Sequence, residues 1–246
     1  MTAAPAPGAL LAAMEATWAP AARIALGPWT LRRGEGGGKR VSAATAQDAA
    51  AAAARIDEAA AAMRAMGQRP LFMLLPGQEA LDAALAAQGY RIVDPVLVYH
   101  APAEALAGLD PRGFHAIRCA APLAIMRELW AAGGIGPGRL GVMARSGAAR
   151  CFLLGRHRDR PAACGFVAAA GDVAMLHALH VAPDSRRAGM GRALTGAAAA
   201  WALEQGAPHL GLAVTEANLP ARRLYEGLGM AARARYHYRA LPEDEP

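Results

Sequence analysis

His180-Val181-Ala182-Pro183-Asp184-Ser185-Arg186-Arg187-Ala188-Gly189-Met190-Gly191-Arg192-Ala193-Leu194 links an apolar run, Val173 to Val181, to an alanine-rich segment. The run predicts a strand, the Pro-Asp pair a turn, and the alanines a helix. Two glycines at the mouth of that helix let the backbone approach a bound group with no Cβ in the way. The first amides of a helix have no internal partner, and the helix dipole adds partial positive charge there. Such an end binds phosphate. Arg186, Arg187 and Arg192 crowd the same spot with full charges suited to a polyanion. Taken alone, the glycines would equally serve a solvated turn that enters a helix sharply.

A second block lies downstream. Leu210 to Val214 predicts a strand, and Asn218-Leu219-Pro220-Ala221-Arg222-Arg223-Leu224-Tyr225-Glu226-Gly227-Leu228-Gly229-Met230 follows it. The two blocks together resemble the GCN5-related N-acetyltransferase (GNAT) superfamily. Its fingerprint is an Arg/Gln-x-x-Gly-x-Gly pyrophosphate loop followed by Asn-x-x-Ala-x-x-Leu-Tyr-x-x-x-Gly-Phe. The match runs from about residue 172 to 240 and departs from the pattern at Met230, where Phe is usual. Methionine is a pliable apolar substitute.

The resemblance implies an α/β fold with a mixed, mostly antiparallel central sheet flanked by helices, and a splayed strand pair that takes coenzyme A. It implies acetyl-CoA as co-substrate, with its pyrophosphate on the amides from Arg187 through Ala188, Gly189, Met190, Gly191 and Arg192 to Ala193, beside Arg186. The pantetheine arm would run between the strand ending at Val181 and the strand ending at Val214. A main-chain N–H near Leu179 or His180 would polarise the thioester carbonyl. Asn218, Ala221 and Leu224 would border the arm. Asn218 also suits the N-cap of the following helix.

Tyr225 is the implied general acid. A phenol, with a pKa of about 10, can donate to a leaving thiolate whose thiol titrates at about 8.5. The plain alternative is a tyrosine packed beside Leu224. The base is open. Members of the superfamily often place a carboxylate on the strand before the glycine loop, and Val173 to Val181 carries none. His177 and His180 titrate in the useful range, and Glu216 is an alternative carboxylate. In an unbroken strand the two histidines face opposite sides, so a bulge would decide which one meets the acyl group. No metal is expected, since the cysteines and histidines show no ligand spacing.

The chain has 246 residues with 26 basic and 20 acidic side chains, a net charge of +6. All basic residues except Lys39 are arginines, and Lys39 sits in a glycine-rich polar loop, which argues against a nucleophilic lysine. The pI near 9.8 would admit nucleic acid, but no basic run is interleaved with aromatics. Cys119, Cys151 and Cys164 fit free thiols in a reducing compartment. No basic and apolar leader opens the chain, and no uncharged apolar run is long enough to span a bilayer. A cytoplasmic protein without nucleic-acid or membrane partners is expected.

Upstream, Trp29 to Arg33 and Arg40 to Ala44 predict strands around Gly34-Glu35-Gly36-Gly37-Gly38-Lys39, which predicts a hairpin turn. That loop lacks the first glycine and the Ser/Thr of a nucleotide P-loop. Asp48 predicts the cap of a long helix reaching Met66, and Ala101 to Pro111 predicts a linker. An internal repeat spans this layout: Pro70 and Pro208, Leu85 and Leu224, Tyr99 and Tyr238, Gly89 and Gly229 stand 138, 139, 139 and 140 residues apart. The first copy lacks Arg-x-x-Gly-x-Gly and has Ala86 in place of Tyr225. Two GNAT-like domains are therefore expected, a degenerate one over residues 1–106 and an acetyltransferase domain over 107–246.

The leading expectation is an acetyl-CoA-dependent N-acetyltransferase that acylates an amine of a small molecule or protein by direct attack. Substrate choice in the superfamily points to Leu123 to Arg145 and Tyr236 to Leu241. The alternative is a non-catalytic module that binds and senses acyl-CoA. A tandem chain satisfies internally the pairing that single-domain relatives obtain by dimerising, so a monomer or weak homodimer is expected.

Overall fold

The computed structural model describes residues 3–109, 113–147, 149–158 and 160–242. The N-terminal half contains α1 (Pro7–Thr17), β1 (Ala22–Leu26), β2 (Trp29–Arg33), α2 (Lys39–Ser42) and β3 (Thr45–Ala46). It continues through α3 (Ala49–Ala53), α4 (Ile56–Ala65), β4 (Leu71–Leu74), α5 (Glu79–Ala87) and β5 (Arg91–Pro102). After α6 (Ala103–Ala107) come β6 (His115–Cys119), α7 (Ala124–Ala132), α8 (Pro137–Arg145), β7 (Ala149–His157) and β8 (Arg160–Ala170). The chain ends with β9 (Val173–Val181), α9 (Met190–Glu204), β10 (His209–Thr215), α10 (Leu219–Gly227) and β11 (Ala231–Ala240).

Eight strands form one sheet in the order β4-β11-β5-β10-β9-β8-β7-β6. It is mixed α/β, as the sequence predicts. The two halves trade strands across it: β11, the last strand of the chain, lies between β4 and β5, while β5 lies between β11 and β10. The repeat is written into the register. Tyr238 pairs with Met73 as Tyr99 pairs with Leu212, and Arg239 pairs with Phe72 as His100 pairs with Gly211. Each partner is displaced by the 139 residues that separate Tyr99 from Tyr238. The β5–β11 ladder maps onto itself under the same shift, since Tyr99 faces Ala232 and Tyr238 faces Val93. The segment β1-β2-β3-α3-α4-β4-α5-β5 thus repeats as β7-β8-β9-α9-β10-α10-β11.

One face of the large sheet is covered by α6, α9 and α10, with Leu194, Ala198, Ala199 and Tyr225 buried against β7 to β10. The other face is covered by α1, α7 and α8 around Trp18, Trp130, Phe152 and Phe166. Helices α3 to α5 enclose a further core with Trp29, Ile56, Phe72 and Leu85. These buried side chains follow the apolar stripe of each helix and the alternation or continuous apolar runs of each strand.

Three expectations change. Residues 40–44 are not a strand, because α2 occupies Lys39–Ser42; β1 and β2 turn at Gly27 instead, and the Gly34–Gly38 loop carries the chain into α2. The loop can lie flat on α8 because Gly138 has no Cβ to meet the Gly36 carbonyl. The long helix after Asp48 is broken at Ala54–Arg55 into α3 and α4. Residues 101–109 are no loose linker: β5 runs to Pro102, and α6 buries Leu106 in the core that also holds α9. Residues 110 and 111 of that expected linker lie outside the described residues, as do Met1 and Thr2.

Candidate functional site

Strands β9 and β10 run parallel and pair from Val173 opposite His209 to Leu176 opposite Leu212. Past that point the pairing stops, although β9 continues to Val181 and β10 to Thr215. A bulge in β9 begins at the split. His177 pairs with Phe166 and His180 with Cys164, so Ala178 and Leu179 together oppose Gly165. Ala178 adopts a φ of 50°, in the region an L-residue rarely occupies. The Trp130 indole N–H donates to the Ala178 carbonyl at 2.8 Å and ties α7 to the bulge.

The extra residue also changes the facing of the two histidines. Their partners, Phe166 and Cys164, are two apart on β8 and share a face, so His177 and His180 both turn toward α1, α7 and α8. Their surroundings differ. His180 sits under Gly133, whose absent Cβ leaves room for the ring, and its Nε2 is buried without a partner. His177 lies between Trp18 and Phe166, with ring centroids 5.0 and 6.1 Å away.

Both nitrogens of His177 are engaged. Arg40 Nη1 stands 3.3 Å from Nδ1 and must donate, so Nδ1 accepts and the proton resides on Nε2. Nε2 is 2.8 Å from Thr17 Oγ1, whose own hydroxyl donates to the Ala13 carbonyl at 2.7 Å. Burial, then the adjacent Arg40 charge, holds the His177 pKa well below 6.5, so the ring is neutral. Burial, then Arg186, lowers His180 as well.

From the split opens a cavity of about 470 Å³. Tyr225, Asn218 and Ala221 of the α10 segment line it together with Leu179 and His177 of β9. Tyr225 is 6% exposed, and burial raises its phenol above 10. Among the described residues its hydroxyl has no protein partner. Asn218 does cap α10, accepting from the Ala221 amide at 3.2 Å. Leu224 packs instead against Gly191, where an added Cβ would stand 2.7 Å from Leu224 Cδ2. The Glu216 side chain does not line the cavity; its amide donates to the Pro95 carbonyl at 2.7 Å.

Beside the split, Val181 leads through Pro183–Ser185 to α9. Arg186 Nε donates to the Val181 carbonyl at 3.1 Å, and Arg187 takes a φ of 60°. Gly189, with a φ of 108°, starts α9 with no side chain capping its amides. The first amides from Met190 to Arg192 are thus left to a ligand or solvent, while Ala193 is already bonded to the Gly189 carbonyl. The equivalent helix start in the first half is closed: Asp48 accepts from the Ala50 and Ala51 amides at 3.0 and 3.1 Å. A carboxylate of the chain itself fills the place where the second copy leaves room for an anion.

Four contributors escaped the sequence. Thr17 and Trp18 of the α1 end meet His177, and Lys39 and Arg40 reach the cavity from the glycine-rich loop. Lys39 pairs with Asp94 at 2.6 Å. The signal available was the Lys39-Arg40 cation pair straight after a run of glycines. Among the described residues no group of three or more His, Cys, Asp and Glu side chains is placed to hold a metal ion, and no helix is long and apolar enough to cross a membrane.

Residues 127–230 match the acetyltransferase (GNAT) family. The segment that carries the split strands and the glycine loop thus matches the GNAT superfamily. Its members are acyltransferases that take acetyl-CoA as co-substrate. A GCN5-related N-acetyltransferase structure from Kribbella flavida superposes with a TM-score of 0.76 at 20% identity, covering 98% of this chain and 97% of that one. A GNAT-family acetyltransferase structure from Novosphingobium aromaticivorans gives 0.55 at 18% identity, covering 96% of each. A tandem GNAT protein from the clavulanic acid biosynthesis pathway gives 0.61 at 15%, covering 95% of this chain and 87% of that one. These likenesses establish the shared GNAT fold. A comparison with curated proteins finds no match.

Proposed function

We propose that this protein transfers the acetyl group of acetyl-CoA to an amine by direct attack, with no covalent enzyme intermediate. The observation that carries this reading is the split beyond Leu176 and Leu212, which opens onto a cavity lined by Tyr225. The residues present fit the co-substrate: uncapped α9 amides, Arg186, Arg187 and Arg192 for the pyrophosphate, and the apolar walls of Leu179, Ala221 and Val214 for the pantetheine arm. When bound, acetyl-CoA supplies a thioester carbonyl carbon that takes the amine nitrogen as the carbon–sulfur bond breaks.

Residues of this chain do the rest. A main-chain N–H of the β9 bulge near Leu179 donates to the carbonyl oxygen as it gains charge. Tyr225 donates its phenolic proton to the departing sulfur; its raised pKa keeps it protonated beforehand. His177 can accept the amine proton at Nδ1 only after Arg40 gives up that nitrogen. The domain division at 106/107 belongs to the same proposal: the second half binds acetyl-CoA, and the first, closed by Asp48, shapes the acceptor side.

The sensing alternative has one observation in its favour. Asp94, the carboxylate lining the cavity, is already paired with Lys39, which leaves no free carboxylate base. A thiol-release assay over a panel of amines, run beside calorimetry with acetyl-CoA, separates the two. The transferase reading expects release, with Tyr225→Phe lowering kcat about a hundredfold while acetyl-CoA affinity holds. Tight binding without release on any amine establishes the sensor.

A further inference from the structure

Arg40 is a half-buried cation whose Nη1 already meets His177 Nδ1. Among the described residues no carboxylate pairs with it, and its Nε is buried with no hydrogen-bond partner. Its side chain lines the cavity that Tyr225 also lines. The hydroxyl of Tyr236, on β11, lies beside the guanidinium and is also buried without a partner. Two orphaned donors, one charged and one neutral, therefore lie side by side in the wall of the same cavity.

Leaving a guanidinium N–H buried without an acceptor is costly, and leaving a buried hydroxyl without one adds to that cost. Both are relieved by one planar anion with two acceptor oxygens, the geometry that arginine binds best. The rest of the lining agrees. Lys39, Arg40 and Arg139 face a single carboxylate, Asp94, which Lys39 already holds. Tyr238 stays neutral, because burial raises its phenol well above 10.

We infer that the acceptor is a small amino carboxylate whose carboxylate is held by Arg40 and Tyr236 while its amine points to the β9 bulge. The inference rests on the amine-acetylation reading and adds the substrate class to it. A cavity of about 470 Å³ that also admits the end of the pantetheine arm has room for a few carbon atoms between the two groups, not for a folded protein. The cationic wall serves the amine as well. It disfavours the ammonium form and so raises the fraction of neutral, nucleophilic nitrogen.

Binding tests this without turnover. Calorimetry on the full chain compares N-acetylglycine, N-acetyl-β-alanine and N-acetyl-4-aminobutyrate with their uncharged amides. At least one acid is expected to bind tenfold or more tighter than its amide. Arg40→Gln is expected to bring the pair within about twofold, with Arg40→Lys and Tyr236→Phe intermediate. Circular dichroism melts confirm that the variants are folded. Equal binding of every acid and amide, no binding of any, or a preference that survives Arg40→Gln overturns the inference. Acetylation of plain alkylamines with no such preference leaves the transferase standing without it. An Arg40-dependent preference for acids with no thiol release on any amine does the reverse.

Discussion

The indole N–H of Trp130 reaches 2.8 Å across to the carbonyl of Ala178, so helix α7 holds the bulge that lines the cavity. Ala178 sits at a φ of 50°, where an L-residue gives up about 1–2 kcal/mol. A single neutral hydrogen bond is worth about 1 kcal/mol, enough to matter against that strain. Trp130→Phe keeps an aromatic ring against Phe152 but removes the donor. The expected result is a kcat for thiol release about tenfold lower, with a stability loss of about 1 kcal/mol and acetyl-CoA affinity unchanged. A rise in Kd with kcat intact would instead make the indole a binding group and detach the bulge from the chemistry.

The two loop glycines are needed for different reasons, and alanine separates them. Gly189 has a φ of 108°, and an added Cβ would stand 3.0 Å from Phe114 Cε2. Gly191 has no such dihedral, but its Cβ would meet Leu224 Cδ2 at 2.7 Å. Gly189→Ala is therefore expected to distort the first turn of α9 and weaken acetyl-CoA binding tenfold or more, since about 1–2 kcal/mol of backbone strain falls on the uncapped amides proposed to hold the pyrophosphate. Gly191→Ala pushes on α10, and Leu224→Ala added to it makes room again. Calorimetry should show affinity recovered in that double variant and no recovery when Leu224→Ala is added to Gly189→Ala.

Much of this was legible in the chain because it is local. Val173 to Val181, the glycine loop and Asn218 to Tyr225 each carry their conformation in adjacent residues, through an apolar run, a positive φ or a cap. The traded strands left a weaker trace, the near-constant spacing of Tyr99 from Tyr238, since register repeats only where backbone pairing repeats. Arg40 left almost none. Its role arises from contact with His177 across 137 residues, and the glycines before it have the composition of a hairpin turn. They serve instead to let the loop lie on α8. The bulge could be posed from the two histidines but not placed, because no residue type marks Ala178 for a left-handed backbone.

His100 makes the fold sensitive to mild acid. It is buried on β5 with its Nε2 3.1 Å from His209 Nδ1, and burial, then His209 and Arg233, lowers its pKa from 6.5 to about 4. The folded chain keeps it neutral while the unfolded chain takes up a proton below 6.5, so stability falls as pH drops from about 6.5 toward about 4. The limiting slope is about 1.4 kcal/mol per pH unit for each such group, and His177 acts in the same direction. Denaturant melts at stepped pH should show this decline, and His100→Gln should flatten it. An unchanged slope in that variant would mean that His100 is protonated in the fold.

Asp82 and Arg239 report on the strand exchange. Arg239 of β11 donates through Nε and Nη2 to the Asp82 carboxylate of α5 at 2.6 and 2.9 Å, and through Nη1 to the Tyr90 carbonyl at 2.7 Å. His237 adds a contact at 2.7 Å. The last strand of the chain is thereby fastened to a helix of the first half. Arg239, followed by His237, brings the Asp82 pKa from 3.8 to about 2 against the effect of partial burial. A depressed carboxylate stabilises the fold above its unfolded value and loses that contribution as pH falls from about 4 to about 2, a window below that of His100. Asp82→Asn is expected to destabilise the protein by about 2 kcal/mol at neutral pH and to flatten the melt midpoint across that lower window. Because β5 and β11 lie inside one sheet, the loss should move a single cooperative transition for the whole chain. Two transitions with only one displaced would show that each half holds its borrowed strand independently of the other.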